Sequence, residues 1–169
     1  MSIIAFNNTA IVYKDLGKYE EAIAMHTQSL ELKRAIGYER GMVYSFNNLG
    51  ETYRLAGDLE QAKFYLAQAE ALANKLNNPM LLGSTNLYLG RIAIMEERYD
   101  DAKRILDMAM ETYQKRNSLS RLAEGLVEQA NLSTKTSQPE QAITQLLEAI
   151  EYAKQSQKNV VLFKAYQML

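Results

Sequence analysis

Residues of the same type recur along this chain at a spacing of 40. Alanine occupies four such positions, Ala22, Ala62, Ala102 and Ala142. Small residues fill two further columns, a column being a set of positions 40 residues apart: Ala10, Gly50, Gly90 and Ala130, and Ser29, Ala69, Ala109 and Ala149. The tripeptide Phe6-Asn7-Asn8 returns as Phe46-Asn47-Asn48. A sustained period of this length predicts a repeat array in which each unit packs only on its neighbours.

Each 40-residue period has room for two helices. Apolar residues fall at helical spacing, and no window alternates long enough to indicate a strand. First helices are predicted over 3–15, 40–55, 80–95 and 119–135, second helices over 19–36, 59–76, 99–116 and 139–156, and a ninth helix from Asn159. The turns are marked by Gly17 and Gly57 in one column and by Gly37 and Asn77 in another. Pro79, after Asn77-Asn78, is placed to open a helix.

The predicted fold class is therefore all-α. We expect one array, 1–169, with about four helix-turn-helix repeats and a partial fifth. The expected repeats are 3–42, 43–82, 83–122 and 123–162, with 163–169 starting a further, unpaired helix. The small columns, including Gly50 and Gly90, predict places where two helix axes approach closely.

Composition excludes several classes of protein. The net charge of −1 gives no electrostatic basis for binding nucleic acid or an anionic membrane surface. The absence of cysteine excludes disulfides and cysteine-ligated metals and is typical of a reducing compartment. No apolar run is long enough to span a bilayer, and the N-terminus lacks the pattern of a secretory signal. These features favour a cytoplasmic protein with no membrane or nucleic-acid partner.

The repeated residues resemble the tetratricopeptide repeat family. One copy carries the pattern in Asn48-Leu49-Gly50-Glu51-Thr52-Tyr53, Gly57-Asp58, Ala62 and Ala69. A second copy has Leu89-Gly90, Tyr99, Ala102 and Ala109, and a third has Thr9-Ala10, Tyr13, Gly17, Tyr19 and Ala22. The fourth copy is degenerate, since Gln129-Ala130, Ser133 and Ser137 replace its usual features. The period of 40 is similar to that of repeats in kinesin light chains, spindle-orientation adaptors and bacterial peptide-sensing regulators.

This resemblance implies a right-handed superhelix whose first helices line a concave groove for extended or helical peptides. Carrying the family's groove columns onto this chain gives nine candidate contacts: Asn8, Asn48, Tyr88, Asn47, Glu51, Arg54, Arg91, Asn131 and Tyr44. Asn8 and Asn48 are the central pair, because an asparagine amide can donate to and accept from a peptide backbone. The alternative is that they bond to a neighbouring helix or to water. A clamp for a terminal carboxylate is disfavoured, since Ser84 and Tyr88 stand where that clamp needs basic residues.

No catalytic constellation, cofactor motif or metal site is predicted. His26 is the only histidine, and its column otherwise holds Leu66, Leu106 and Leu146, which indicates a packed side chain. The leading hypothesis is therefore a non-enzymatic module that binds a protein or peptide.

Two alternatives stay open at the sequence level, a sensor segment of a larger signalling protein and a self-assembling scaffold. Val160-Val161-Leu162-Phe163 and the residues after it leave an apolar helix face without a partner helix. This face predicts either a fragment of a longer protein or a homodimer formed through the terminal helices.

Overall fold

The computed structural model describes residues 2–169 and contains nine α-helices within them. They are α1 (Ile3–Asp15), α2 (Tyr19–Ala35), α3 (Glu39–Leu55), α4 (Leu59–Lys75), α5 (Pro79–Met95), α6 (Tyr99–Lys115), α7 (Leu119–Lys135), α8 (Pro139–Gln155) and α9 (Asn159–Met168). The predicted all-α class is confirmed, and each predicted helix boundary lies within one residue of the observed one. None of the helices in the described residues combines the length and the apolar character needed to cross a membrane.

Each turn between helices is made by one residue in the left-handed region. These residues have φ between +46° and +88° and recur every 20 positions: Gly17, Gly37, Gly57, Asn77, Glu97, Asn117, Ser137 and Gln157. At the first turn Lys18 N donates to Tyr13 O at 2.9 Å and Gly17 N donates to Lys14 O at 3.0 Å. Both bonds satisfy carbonyls that the end of α1 would otherwise leave unpaired.

Side chains also mark where helices begin. Asn78 Oδ1 accepts a hydrogen bond from Leu81 N at 3.1 Å, directly before Pro79 opens α5. Asp58 Oδ1 accepts from Gln61 N at 3.0 Å at the start of α4. Each carboxyl or amide oxygen satisfies one of the free N–H groups of a first helical turn.

The chain divides into two compact units, Met1–Tyr88 and Leu89–Leu169. In the first unit consecutive helices from α1 to α4 pack on one another. One continuous core joins α2, α3, α4 and the start of α5, and its buried residues are Leu30, Val43, Phe46, Leu49, Ala69, Ala73 and Leu81. Gly50 confirms the packing reason for the small columns, because a Cβ there would lie 2.7 Å from Leu66 Cγ.

In the second unit α7 packs on α6, α8 and α9, and α8 packs on α9. Its buried residues include Leu106, Tyr113, Leu126 and Leu146. A Cβ at Gly90 would lie 2.6 Å from Leu106 Cδ2, which repeats the relationship between Gly50 and Leu66 one period later.

The turns between helix pairs lie at Gly37, Asn77, Asn117 and Gln157. The boundaries predicted at 42/43, 82/83, 122/123 and 162/163 therefore fall inside α3, α5, α7 and α9. The last helix begins at Asn159, where the helical spacing of the sequence predicted it. It is also not without contacts, because α7 and α8 both pack against it.

Candidate functional site

An open depression of about 310 Å³ lies in the first unit, with α1 on one side and α3 on the other. Its lining residues are Ile3, Ile4, Asn7 and Asn8 of α1, Lys33 of α2, Tyr38 at the start of α3, and Gly41, Tyr44 and Asn48 within α3. Residues 3, 4, 7 and 8 share one face of a helix, and so do 41, 44 and 48, because residues three or four apart stack along a helix surface.

Both apolar and polar side chains line this depression. Ile4, Tyr38 and Tyr44 leave 71%, 48% and 44% of their surface exposed, and all three line the depression. Exposed apolar side chains around a small set of hydrogen-bonding groups are typical of a binding surface.

Asn48 links the two walls. Its Nδ2 donates to Asn7 Oδ1 at 3.1 Å, so α3 is bonded to α1 across the depression. This bond matches the alternative in which an asparagine bonds to a neighbouring helix, yet Asn48 also lines the depression. Asn8 lies beside Asn7 and is exposed. The structure thus brings together three of the predicted contacts, Asn8, Asn48 and Tyr44.

Asn47 lies elsewhere. Its side chain is only 2% exposed, and its amide has no hydrogen-bond partner within the described residues. Asn47 is therefore not among the residues that line the depression, unlike Asn8 and Asn48, with which the sequence-based prediction grouped it. The reason is helical geometry, since a step of one residue turns a side chain by about 100° around the axis.

Glu51 and Arg54 form an ion pair on α3. Arg54 Nε donates to Glu51 Oε2 at 2.8 Å and Arg54 Nη2 donates to Glu51 Oε1 at 3.0 Å. Such a bidentate pair fixes both side chains. Tyr88, also predicted, is half-buried on α5 at the end of the first unit.

In the second unit the predicted contact Arg91 belongs to a buried charge cluster. Glu128 Oε1 accepts from Arg91 Nη2 and from Lys164 Nζ, each at 2.7 Å. Burial by itself would raise the pKa of Glu128, but the charges of Arg91 and Lys164 outweigh it and lower the pKa to about 2. The cluster joins α5, α7 and α9, and its charged groups are bonded to one another. Asn131, the remaining predicted contact, is half-buried on α7.

Sequence reasoning missed Lys33, which reaches the depression from the second helix α2. Its column holds Ala73, Tyr113 and Ala153, all buried, so a lysine among them is the signal that could have found it. From the sequence, only first helices were expected to supply groove residues, so Lys33 on the second helix α2 was not predicted.

His26 is packed, as predicted. It is 1% exposed, and burial together with the charges of Lys14 and Lys33 lowers its pKa from 6.5 to about 4. Over residues 2–169 no three His, Cys, Asp or Glu side chains are grouped so that they could hold a metal ion.

The paired helices and the left-handed turns define the class as an α-α repeat of the tetratricopeptide type. The tetratricopeptide repeat family model matches residues 2–75. The same helix pairing continues in the second unit, and the resemblance to tetratricopeptide repeats inferred from the sequence is confirmed. A search of curated proteins gave no significant match.

Solved structures show the same fold. Aspartyl phosphate phosphatase F from Bacillus subtilis superposes with a TM-score of 0.77 at 15% identity, over 98% of this chain and 44% of that one. BtubC (BKLC) from P. vanneervenii gives 0.69 at 15% identity, over 92% and 64%. A putative kinesin light chain from Podosopora anserina with nearly identical TPR-like repeats gives 0.68 at 18% identity, over 98% and 86%. The chain thus spans less than two thirds of the first two proteins, and at these identities the likeness concerns the fold.

Proposed function

We propose that this chain is a non-enzymatic interaction module that binds a peptide or short helix of a partner protein between α1 and α3. Tetratricopeptide repeats are in general protein interaction modules, and the finer assignment is ours. The observation that carries it is the convergence of Asn8, Asn48 and Tyr44 on one open depression.

The mechanism is preorganisation. The bond from Asn48 to Asn7 links α3 to α1 and fixes the Asn48 amide before a ligand arrives. The ordering cost on the protein side is therefore small. Asn8 and Asn48 pair with the backbone of the ligand, while Ile4 and Tyr44 cover one of its apolar side chains.

A randomised peptide display library tests the proposal. Peptides selected by the unaltered chain are measured by calorimetry against Asn8→Ala/Asn48→Ala, with Asn74→Ala on exposed α4 surface as the matched control. We expect a loss of at least tenfold in affinity for the double variant, with its helical circular dichroism unchanged, and no loss for the control. Equal affinities in all three proteins would contradict the assignment of this site.

Self-association is the second candidate, because α9 exposes an apolar face. Val160, Phe163 and Tyr166 are 82%, 65% and 53% exposed and lie three residues apart. Sedimentation at rising concentration should show a dimer that Phe163→Glu abolishes, while Phe64→Glu, on exposed α4 surface, leaves it intact. A single monomeric species throughout would remove this candidate. The alternative that the chain is a sensor segment of a larger signalling protein stays a prediction, because it requires a signalling domain elsewhere in that protein.

A further inference from the structure

Lys33 is a buried ammonium without a carboxylate. Lys33 is only 5% exposed, and its Nζ donates a hydrogen bond to Ser45 Oγ at 2.7 Å. No carboxylate in the part of the chain that the structure describes pairs with it. A lysine ammonium can donate three hydrogen bonds, and a buried charge without a counter-ion is costly. Burial accordingly lowers the pKa of Lys33.

The surrounding sequence accommodates this lysine specifically. Its column elsewhere holds Ala73, Tyr113 and Ala153, so the repeat packs well without a charge there. Gly41 supplies the space, because a Cβ at that position would lie 3.1 Å from Lys33 Cδ and would clash with the ring of Tyr38. The Gly41 column otherwise contains Leu81, Arg121 and Val161. A lysine and a glycine, each exceptional in its column, thus adjoin at one place.

That place is the depression between α1 and α3. Of the nine residues that line it within the described chain, Lys33 is the charged one and none is acidic. Asn7 accepts the bond from Asn48 through its oxygen, so its amide NH2 group is the part that can donate to a ligand. The lining therefore offers a positive charge and N–H donors, an arrangement complementary to an anion.

We propose that Lys33 is a specificity determinant that receives a carboxylate of the bound peptide, next to an apolar residue held by Ile4 and Tyr44. This inference rests on the proposed function and adds the chemistry of the ligand. It differs from the clamp considered from the sequence, because the basic residue comes from the second helix α2 and not from the groove-facing side of first helices.

Two display libraries of seven-residue peptides test it, one with Asp and the other with Asn fixed at the central position. The proteins compared are the unaltered chain, Lys33→Met, which keeps the length of the side chain but removes its charge, and Lys154→Met. Lys154 is exposed on α8 in the second unit, so that variant makes the same change in net charge away from the depression.

We expect the unaltered chain and Lys154→Met to enrich the Asp library and to lose at least tenfold in affinity when the Asp of a selected peptide becomes Asn. For Lys33→Met, the same change from Asp to Asn in the peptide should lower the affinity less than twofold. A selected peptide with an amidated C-terminus distinguishes the source of the carboxylate. We expect amidation to leave the affinity unchanged, because the Asp side chain is the recognised group. A loss of affinity on amidation, with none on changing Asp to Asn, would show that the terminus is bound instead and would overturn the inference.

Thermal denaturation checks that Lys33→Met folds, and the NMR signal of the Lys33 ammonium should shift when the peptide is added. If Asn8→Ala/Asn48→Ala abolishes binding but Lys33→Met binds Asp and Asn peptides like the unaltered chain, the inference is overturned and the proposed function stands. If neither library yields a peptide that the unaltered chain binds, both are overturned.

Discussion

The carboxylate of Glu128 on α7 lies 2.7 Å from Lys164 Nζ on α9, and the same oxygen accepts from Arg91 at 2.7 Å. The Glu128 side chain is only 3% exposed, whereas that of Lys164 is 47% exposed. The pair therefore ties the last helix to the interior of the second unit through a charge that α9 itself supplies.

Lys164→Met should loosen α9 without unfolding the rest of the unit. A hydrogen bond to a buried charged group is worth about 1.5–3 kcal/mol, and Arg91 still neutralises Glu128 in the variant. We expect the amides of residues 159–168 to exchange about ten times faster or more, which is measured by hydrogen exchange with mass spectrometry. Lys154→Met is the control, and equal exchange in both variants would show that α9 is held by its apolar contacts alone.

Gly50→Ala should destabilise the first unit although alanine favours a helix. The added Cβ would lie 2.7 Å from Leu66 Cγ and 3.3 Å from the carbonyl oxygen of Ala62. Overpacking of this kind costs about 1–3 kcal/mol, whereas the gain in helix propensity is about 1 kcal/mol. Urea unfolding should show that Gly50→Ala lowers the free energy of unfolding in the otherwise unaltered chain. It should not lower it in a Leu66→Ala background, where the clash is relieved. A loss of equal size in both backgrounds would mean that Leu66 is not the obstacle.

Most of the fold could be predicted because the 40-residue columns repeat the requirements of one helix pair four times. Gly50 and Gly90 mark close helix contacts in the structure, and the four alanines of the Ala62 column are all buried. The turns were readable where glycine or asparagine stood at the left-handed position. They were harder to read at Glu97 and Ser137, because these residue types carry no such preference.

The candidate site was less predictable. Asn8, Asn48 and Tyr44 could be placed because the family's groove columns are a property of the repeat. Asn47 could not be distinguished from Asn48 by residue type, although one step along α3 buries it. The position of the Lys33 side chain depends on its contact with Ser45, which joins α2 to α3 of the next repeat. The family's groove columns contain only first-helix residues, so they could not indicate this contact.

Asn47→Leu should stabilise the protein. The side chain of Asn47 is buried, and its amide has no protein partner among the described residues, whereas its column holds the buried residues Leu87 and Val127. An unsatisfied buried polar group costs about 1–3 kcal/mol, and a leucine, whose side chain has the same number of heavy atoms as asparagine, avoids that cost. We expect a gain of this size in the free energy of unfolding. Asn8→Leu, on exposed surface, is the control and should give none; a loss of stability in Asn47→Leu would contradict the expectation.

His26 should make stability depend on pH. The pKa of His26 is about 4 in the folded protein, lowered first by burial and then by Lys14 and Lys33, against an ordinary value of 6.5. Between those values the unfolded chain binds a proton that the folded protein does not bind. Stability from this residue is therefore complete above pH 6.5 and declines as the pH falls toward 4.

The expected loss from His26 between pH 7.5 and pH 5 is about 2 kcal/mol. His26→Leu, which restores the leucine of its column, and His26→Gln, which stays polar but does not titrate, should both remove this component. Urea unfolding of the three proteins at both pH values measures it, and the difference from the unaltered chain cancels the contribution of the carboxylates. A pH dependence that is the same in all three proteins would show that His26 takes up its proton equally in the folded and unfolded states.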